Sequence, residues 1–134
     1  MKRVLCGLLL IALLVLPGLG LTEGEDTIRL ARTLYTLGQG ESYDTLLMLG
    51  SVVMNRVESP WYPDTVKDVL GEPHQFPRGT LYDEESLQAA RDVMMGRRAL
   101  PKYVVLYAAL DSTKLPEGNE LYISSDNYGF YYRK

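Results

Sequence analysis

The sequence predicts an α+β domain, three or four helices followed by a small antiparallel sheet, on three observations. As far as Gly96, apolar residues recur at helical spacing between capping and breaking residues. After Pro101 they come instead in β-branched and aromatic runs. The change of period happens once, so helices and strands are segregated along the chain.

The elements follow in order. Residues 23 to 27 are polar, and Asp26 or Thr27 is placed to cap a helix in which Ile28, Ala31, Leu34 and Tyr35 share a face, ended by Gly38 and Gly40. Ser42 or Asp44 caps a second helix. Its broad apolar face (Leu46, Leu47, Leu49, Gly50, Val53, Met54, Val57) marks it as the buried central one, and Ser59-Pro60 fixes its end. A short helical piece runs from Asp64 to Leu70, and the Gly and Pro content of Gly71 to Thr80 predicts an irregular loop. Asp83 caps a third long helix with Glu84 and Glu85 in its first turn, Leu87, Ala90, Val93 and Met94 inward, and Gly96 in the C-terminal capping position. Tyr103 to Tyr107, Leu121 to Ile123 and Gly129 to Tyr132 are the expected strands, with a turn at Pro116-Glu117-Gly118-Asn119.

The first residues carry a different signal. Met1-Lys2-Arg3, an apolar run from Val4 to Leu16 and then Pro17-Gly18-Leu19-Gly20 make the pattern of a signal peptide over residues 1–20, or of an N-terminal anchor if it is retained. A short leader, 21–27, and a domain over 28–134 complete the expected organisation. Cleavage near Gly20 takes Lys2 and Arg3 from the 14 basic residues, leaving 12 against 17 acidic, and the net charge moves from −3 to −5. It also removes Cys6, the one cysteine. The exported domain then has no disulfide and no thiol, and stands on its apolar core alone.

Composition narrows the chemistry. One histidine, His74, and no remaining cysteine leave no zinc site of the usual ligand types, and no other metal or cofactor is expected. There is no G-x-S-x-G elbow, and Gly38-Gln39-Gly40-Glu41 lacks the Lys and Ser/Thr of a phosphate loop. The acidic balance argues against nucleic acid as a partner. Carboxylates are the abundant catalytic groups, and they suit glycan cleavage, where a protonated Glu gives its proton to the departing glycosidic oxygen. Ten Tyr side chains fit the same chemistry, because a ring stacks on a sugar face while its hydroxyl makes a hydrogen bond.

The order of several short segments resembles one known family. Leu30-Ala31-Arg32-Thr33-Leu34-Tyr35, Gly40-Glu41 and Val52 to Val57 with Asn55-Arg56 resemble the opening of the SleB-type cell wall hydrolases, the spore-cortex-lytic enzymes. Asp68-Val69-Leu70 with Gln75-Phe76, Ala89 to Asp92 with Gly96, Leu106-Tyr107 and the closing Phe130-Tyr131-Tyr132 continue the series, which covers roughly residues 28 to 132. The resemblance implies a small lysozyme-like domain acting on peptidoglycan glycan strands, with a lytic transglycosylase or glycosidase chemistry that uses one glutamate as acid and then base.

In the family pattern that glutamate stands four residues before the glutamate of Gly-Glu. Here Tyr35-Thr36-Leu37-Gly38-Gln39-Gly40-Glu41 puts Leu37 in the catalytic position, Gly38 at the alanine and Gln39 at the arginine, and keeps Glu41. The family's histidine near the closing Phe-Tyr falls on Tyr128 or Gly129. The resemblance therefore implies either weak or altered cleavage, with Glu41 as the remaining candidate acid, or a non-catalytic protein that binds peptidoglycan or a wall or spore partner through the same groove. Glu41 reads equally well as a brace for the helix entry. Tyr35, Gln75, Phe76, Tyr107 and Tyr131 are the candidate substrate contacts.

Overall fold

The structure, a computed structural model, describes residues 23–112 and 117–134. The expected signal segment, Cys6 and the first residue of the Pro116 turn lie outside the described residues. Four helices come first: α1 (Glu25–Leu37), α2 (Tyr43–Val57), α3 (Val66–Leu70) and α4 (Glu84–Met94). Three strands follow, β1 (Leu106–Ala109), β2 (Asn119–Ser125) and β3 (Tyr128–Arg133). This is the α+β architecture the periodicity predicts.

Helix α2 is the hub of the core. Leu46, Leu47, Leu49, Val52 and Val53 are all buried, so this helix is apolar on most of its circumference. Each such side chain contributes roughly 1.5–3 kcal/mol by leaving water. Helix α4 packs against both α1 and α2, and Val93 and Leu34 both close on Gly50. Ser42 caps α2 by accepting from the Thr45 backbone N–H, and Thr65 caps α3 in the same way through Asp68. Asp83 and Ser86 form a reciprocal capping box at α4, and the Ser86 backbone N–H holds the Asp83 carboxyl below its ordinary value. At the far end of α4, Gly96 takes a left-handed conformation (φ 107°), which lets its N–H reach Val93 O and the Arg97 N–H reach Asp92 O, both at 3.0 Å.

The structure departs from the sequence expectation in three places. Helix α1 starts at Glu25 behind Gly24, with no side-chain cap, in place of Asp26 or Thr27. Its entry is held differently: Glu23 pairs with Arg91 of α4, and two acids, Glu25 and Asp26, face the positive end of the helix. The strand expected from Tyr103 begins only at Leu106. Asn55 Nδ2 takes the carbonyls of Pro101 (2.8 Å) and Val104 (3.0 Å), and Arg56 Nε takes that of Val105 (2.7 Å). These acceptors serve α2 and not a strand ladder. Finally, the sheet order is β1-β3-β2, so the strands on either side of the Pro116 turn are not neighbours. Both pair antiparallel with β3, and β2 carries a bulge between Leu121 and Ile123. The tight connection is Asp126-Asn127, between the paired Ser125 and Tyr128, with Asp126 at φ 51°.

Replacing the capping carboxylate, Asp83→Ala, is expected to lower stability by about 1 kcal/mol, seen as a lower urea midpoint with an unchanged slope. An unchanged midpoint would show that the capping box does not stabilise α4.

Candidate active site

The candidate catalytic segment is the bend between α1 and α2. Gly38 closes α1 through its N–H to Leu34 O (2.8 Å), and the Glu41 N–H returns to Gly38 O (3.0 Å). This bend is locked by the β2–β3 hairpin. Glu41 Oε1 accepts from Asn127 Nδ2 (2.8 Å) and Oε2 from the Asn127 backbone N–H (3.3 Å). Asp126 accepts from the Ser42 backbone N–H (2.7 Å) and from Thr45 Oγ1 (2.6 Å), placing a second carboxylate at the N-terminus of α2. The hydrogen bonds from Thr45 and Ser42 hold the Asp126 carboxyl at about 2.

Leu37 ends α1. Its side chain packs against the core cluster, and its carbonyl accepts from Tyr128 Oη at 2.6 Å. The position the resemblance assigns to the catalytic acid is thus occupied by apolar packing. Gly38 extends the effect: a Cβ there would lie 2.1 Å from Leu46 Cδ2 and 2.9 Å from Leu34 O, so Leu46 fills the space an alanine would need. Beside this bend lies a groove of about 430 Å³, lined by Tyr35, Gly38 to Glu41, Leu46 and, from α4 and its cap, Asp83, Glu85 and Ser86.

A line of planar groups leads away from Leu37. Tyr128 tilts against Tyr107 (6.1 Å between ring centroids), and Tyr107 stacks on Phe76 (5.3 Å). Phe76 in turn covers one face of the Arg56 guanidinium (5.0 Å), and Tyr62 covers it as well (4.8 Å). Arg56 is 2 % exposed and donates to Gln75 Oε1 (3.1 Å), while the Glu72 carboxylate stands 3.9 Å away. Burial lowers the Arg56 pKa from its ordinary value, offset in part by Tyr62 and Glu72. Burial also pushes the Tyr107 hydroxyl up to about 12, and that hydroxyl donates to the Gln75 carbonyl. Tyr128 is raised by burial first and then by the negative charges of Glu41 and Asp111.

The structure therefore places the candidate residues in two groups. Tyr35 and Glu41 share the 430 Å³ groove. Gln75, Phe76 and Tyr107 belong to the Arg56 stack; Gln75 is exposed, Tyr107 half-buried and Phe76 buried in the core. Tyr131 is buried within the central strand β3. His74 is exposed in its loop with φ 62°. Among the described residues, no three His, Cys, Asp or Glu side chains gather into a group that could hold a metal ion. Sequence reasoning missed Asp126 and Asn127, and it named Tyr128 only as one of two positions for the family's histidine; all three reach back across the molecule to the α1–α2 bend. The signal was present, since Asp-Asn between two aromatic runs is a turn pair.

A helical layer with a small antiparallel sheet and a candidate site at the first interhelical bend defines a lysozyme-like α+β domain. A family model for Cell Wall Hydrolase matches residues 40–125, and the chain belongs to that family, of the SleB type. Spore cortex-lytic enzymes from Halalkalibacterium halodurans and Bacillus subtilis strain 168 are each 32 % identical, over 79 and 80 residues, covering 54 % and 55 % of this chain. Those matches span 24 % and 26 % of the relatives, so the chain corresponds to about a quarter of their length. The crystal structure of the catalytic domain of the Bacillus cereus SleB protein superposes with a TM-score of 0.71 at 23 % identity, covering 82 % of this chain and 92 % of that one. The catalytic domain of the germination-specific lytic transglycosylase SleB from Bacillus anthracis gives 0.71 at 21 %, covering 82 % and 97 %. These likenesses show the shared fold.

Two outcomes test the geometry of the bend. Asp126 has its carboxyl at about 2, below the ordinary 3.8, so its contribution is complete above about pH 4 and is lost as pH falls through about 2. The stability gap between the native protein and Asp126→Asn should therefore shrink from pH 5 to pH 2 in urea titrations; a constant gap would contradict the clamp. Gly38→Ala should cost about 1–3 kcal/mol by overpacking against Leu46, and Leu46→Ala in the same chain should recover part of it.

Proposed function

We propose that this is an exported peptidoglycan-directed domain that binds glycan strands through the groove at the α1–α2 bend and does not cut them. In this reading residues 1–20 direct export, 21–27 form a leader and 28–134 form the working domain, placed outside the cytoplasm in the cell wall, a periplasm-like space or the spore envelope. If the N-terminal segment is retained it tethers the domain to the membrane; among the described residues, no helix is long and apolar enough to cross one.

The observation that carries the proposal is the occupancy of the acid's position. Leu37 packs against the core, and the nearest glutamate of the pattern, Glu41, has both carboxylate oxygens engaged by Asn127. A leucine neither donates nor accepts a proton, and loss of a positioned general acid removes a factor of about 10² to 10⁴ in rate. Tyr35 is the proposed sugar contact in this groove; Gln75, Phe76 and Tyr107 stand apart in the Arg56 stack and Tyr131 is buried in β3. A second reading, weak or altered cleavage with Glu41 as the acid, is favoured by one fact: Glu41 and Tyr35 line the same groove.

The test is to incubate the purified domain with insoluble peptidoglycan, recover what is retained and analyse the soluble fraction by mass spectrometry for anhydromuramoyl products. Retention without products is expected from the native protein, and measurable product from Leu37→Glu. Products from the native protein that vanish in Glu41→Gln would establish the second reading. Neither retention nor products would sink both.

A further inference from the structure

The cations of this acidic chain are unevenly placed. Among the described residues Arg29, Arg56, Arg91, Arg97, Arg98 and Lys134 stand in ion pairs, and Arg32, Lys67, Arg78, Lys102 and Arg133 do not. Lys102 and Arg133 line a groove of about 590 Å³ at the end of α2, beside Tyr62. The other three meet in a separate groove of about 350 Å³, between α1, α3 and the loop over 71–79. Arg29 joins them there, and no Asp or Glu belongs to the lining. In a chain with 17 acids against 14 bases, four cations thus share one groove, and Arg29 alone among them is paired, with Glu25 at 3.7 Å and Asp26 at 3.4 Å.

Three elements build this groove. Helix α1 supplies Arg29 and Arg32, three positions apart and so on one face. The loop lies directly on that face: a Cβ on Gly79 would stand 2.5 Å from Arg32 O and 2.2 Å from Thr36 Oγ1, so glycine permits the approach that brings Arg78 to the groove. Helix α3 brings Lys67 from a third side and is held to the domain by its buried Val66 and Val69. Thr33 and Thr36 already donate their hydroxyls to Arg29 O (3.2 Å) and Arg32 O (2.8 Å), which leaves the exposed cations as the side-chain donors for a ligand. Like charges gathered in this way repel one another, and an anion between them removes the repulsion.

We infer that this groove binds a phosphodiester polyanion that carries no bases, of the polyol-phosphate class. A tetrahedral phosphate offers oxygens on several sides to cations converging from three elements, whereas a planar carboxylate is met best by one guanidinium in its own plane. Repeated charge on the ligand suits cations spread along a groove, since each contact releases counterions. Nucleic acid fits poorly, because no aromatic ring lines the groove to stack on a base. The inference goes beyond glycan binding at the α1–α2 bend and does not rest on it.

The probe is fluorescent poly(glycerol phosphate), titrated with the full chain at 50 and 200 mM salt and followed by anisotropy. Binding is expected, and it should be about tenfold weaker at the higher salt. Arg32→Ser with Arg78→Ser should weaken it about tenfold, and so should Lys67→Glu, a charge reversal on a different element. Lys102→Ser with Arg133→Ser, which removes as much charge from the other groove, should leave it unchanged. All three variants should keep the native circular dichroism and urea midpoint. Absence of binding overturns the inference, and so does an equal loss in the Lys102 and Arg133 variant, which would mean diffuse attraction. Tighter capture of poly-γ-glutamate or of single-stranded DNA at equal charge would also overturn it, reassigning the groove to carboxylates or to nucleic acid. Displacement of the polymer by inorganic phosphate at matched phosphate concentration would reduce the groove to a site for a single ion. Displacement by phosphatidylglycerol vesicles but not by phosphatidylcholine ones, again at matched phosphate, would make a lipid headgroup the ligand in place of the polymer.

Discussion

The buried guanidinium of Arg56 is the contact on which the two halves of the domain depend. A cation at 2 % exposure survives only where its charge and its donors are met, and here they are met by pieces from four parts of the chain. Val105 O receives Nε, Gln75 Oε1 receives Nη1, Glu72 supplies the opposite charge, and the rings of Tyr62 and Phe76 cover the flat group. Lysine could not replace it, because a single ammonium has neither the plane to be covered nor the fork that reaches Val105 and Gln75 together. With Asn55 beside it, Arg56 uses the end of the central helix to set where the chain enters the sheet. Two grooves follow from that placement: one at the far end of the aromatic line that starts on Arg56, the other directly against its Tyr62 face.

At the α1–α2 bend, neighbouring residues pack as one unit. Leu37, Gly38 and Leu46, which fills the space a side chain on Gly38 would need, form one apolar unit, while Glu41 is turned to hold the hairpin. Two carboxylates at this end serve as braces. Asp126 secures the start of α2 and Glu41 secures Asn127, so the acids maintain the shape of the bend. The lysozyme-like scaffold keeps an open groove beside this braced bend.

The helices were readable because their signals are local. Asp83 with Ser86, Ser42 with Thr45, and Gly96 after Met95 act within one turn of the residues they affect. The resemblance in motif order carried the family and the lysozyme-like fold. Other features depended on contacts distant in sequence. The start of β1 moved from Tyr103 to Leu106 because Asn55 and Arg56, almost fifty positions earlier, consume the intervening carbonyls. Tyr35 and Glu41 could be joined in one groove from their proximity in sequence, but the separation of Gln75, Phe76 and Tyr107 into the Arg56 stack is a property of packing that no local pattern encodes.

The strand order has a consequence for how the domain forms. The strand at the centre of the sheet, β3, follows both of its partners in the chain, so β1 and β2 have no sheet to join until it is in place. The same segment delivers Asp126 to Ser42 and Asn127 to Glu41 across 84 and 86 positions. Closing a loop of that length costs about 4 kcal/mol of chain entropy before any contact repays it. The four helices, whose contacts are nearer in sequence, can assemble earlier. Folding then passes through a helical body with an unbraced bend and two unpaired strands, a species with exposed edges prone to association. The braced bend, the groove beside it and the covered sheet edges would all mature in a single late step, when the β2–β3 hairpin docks.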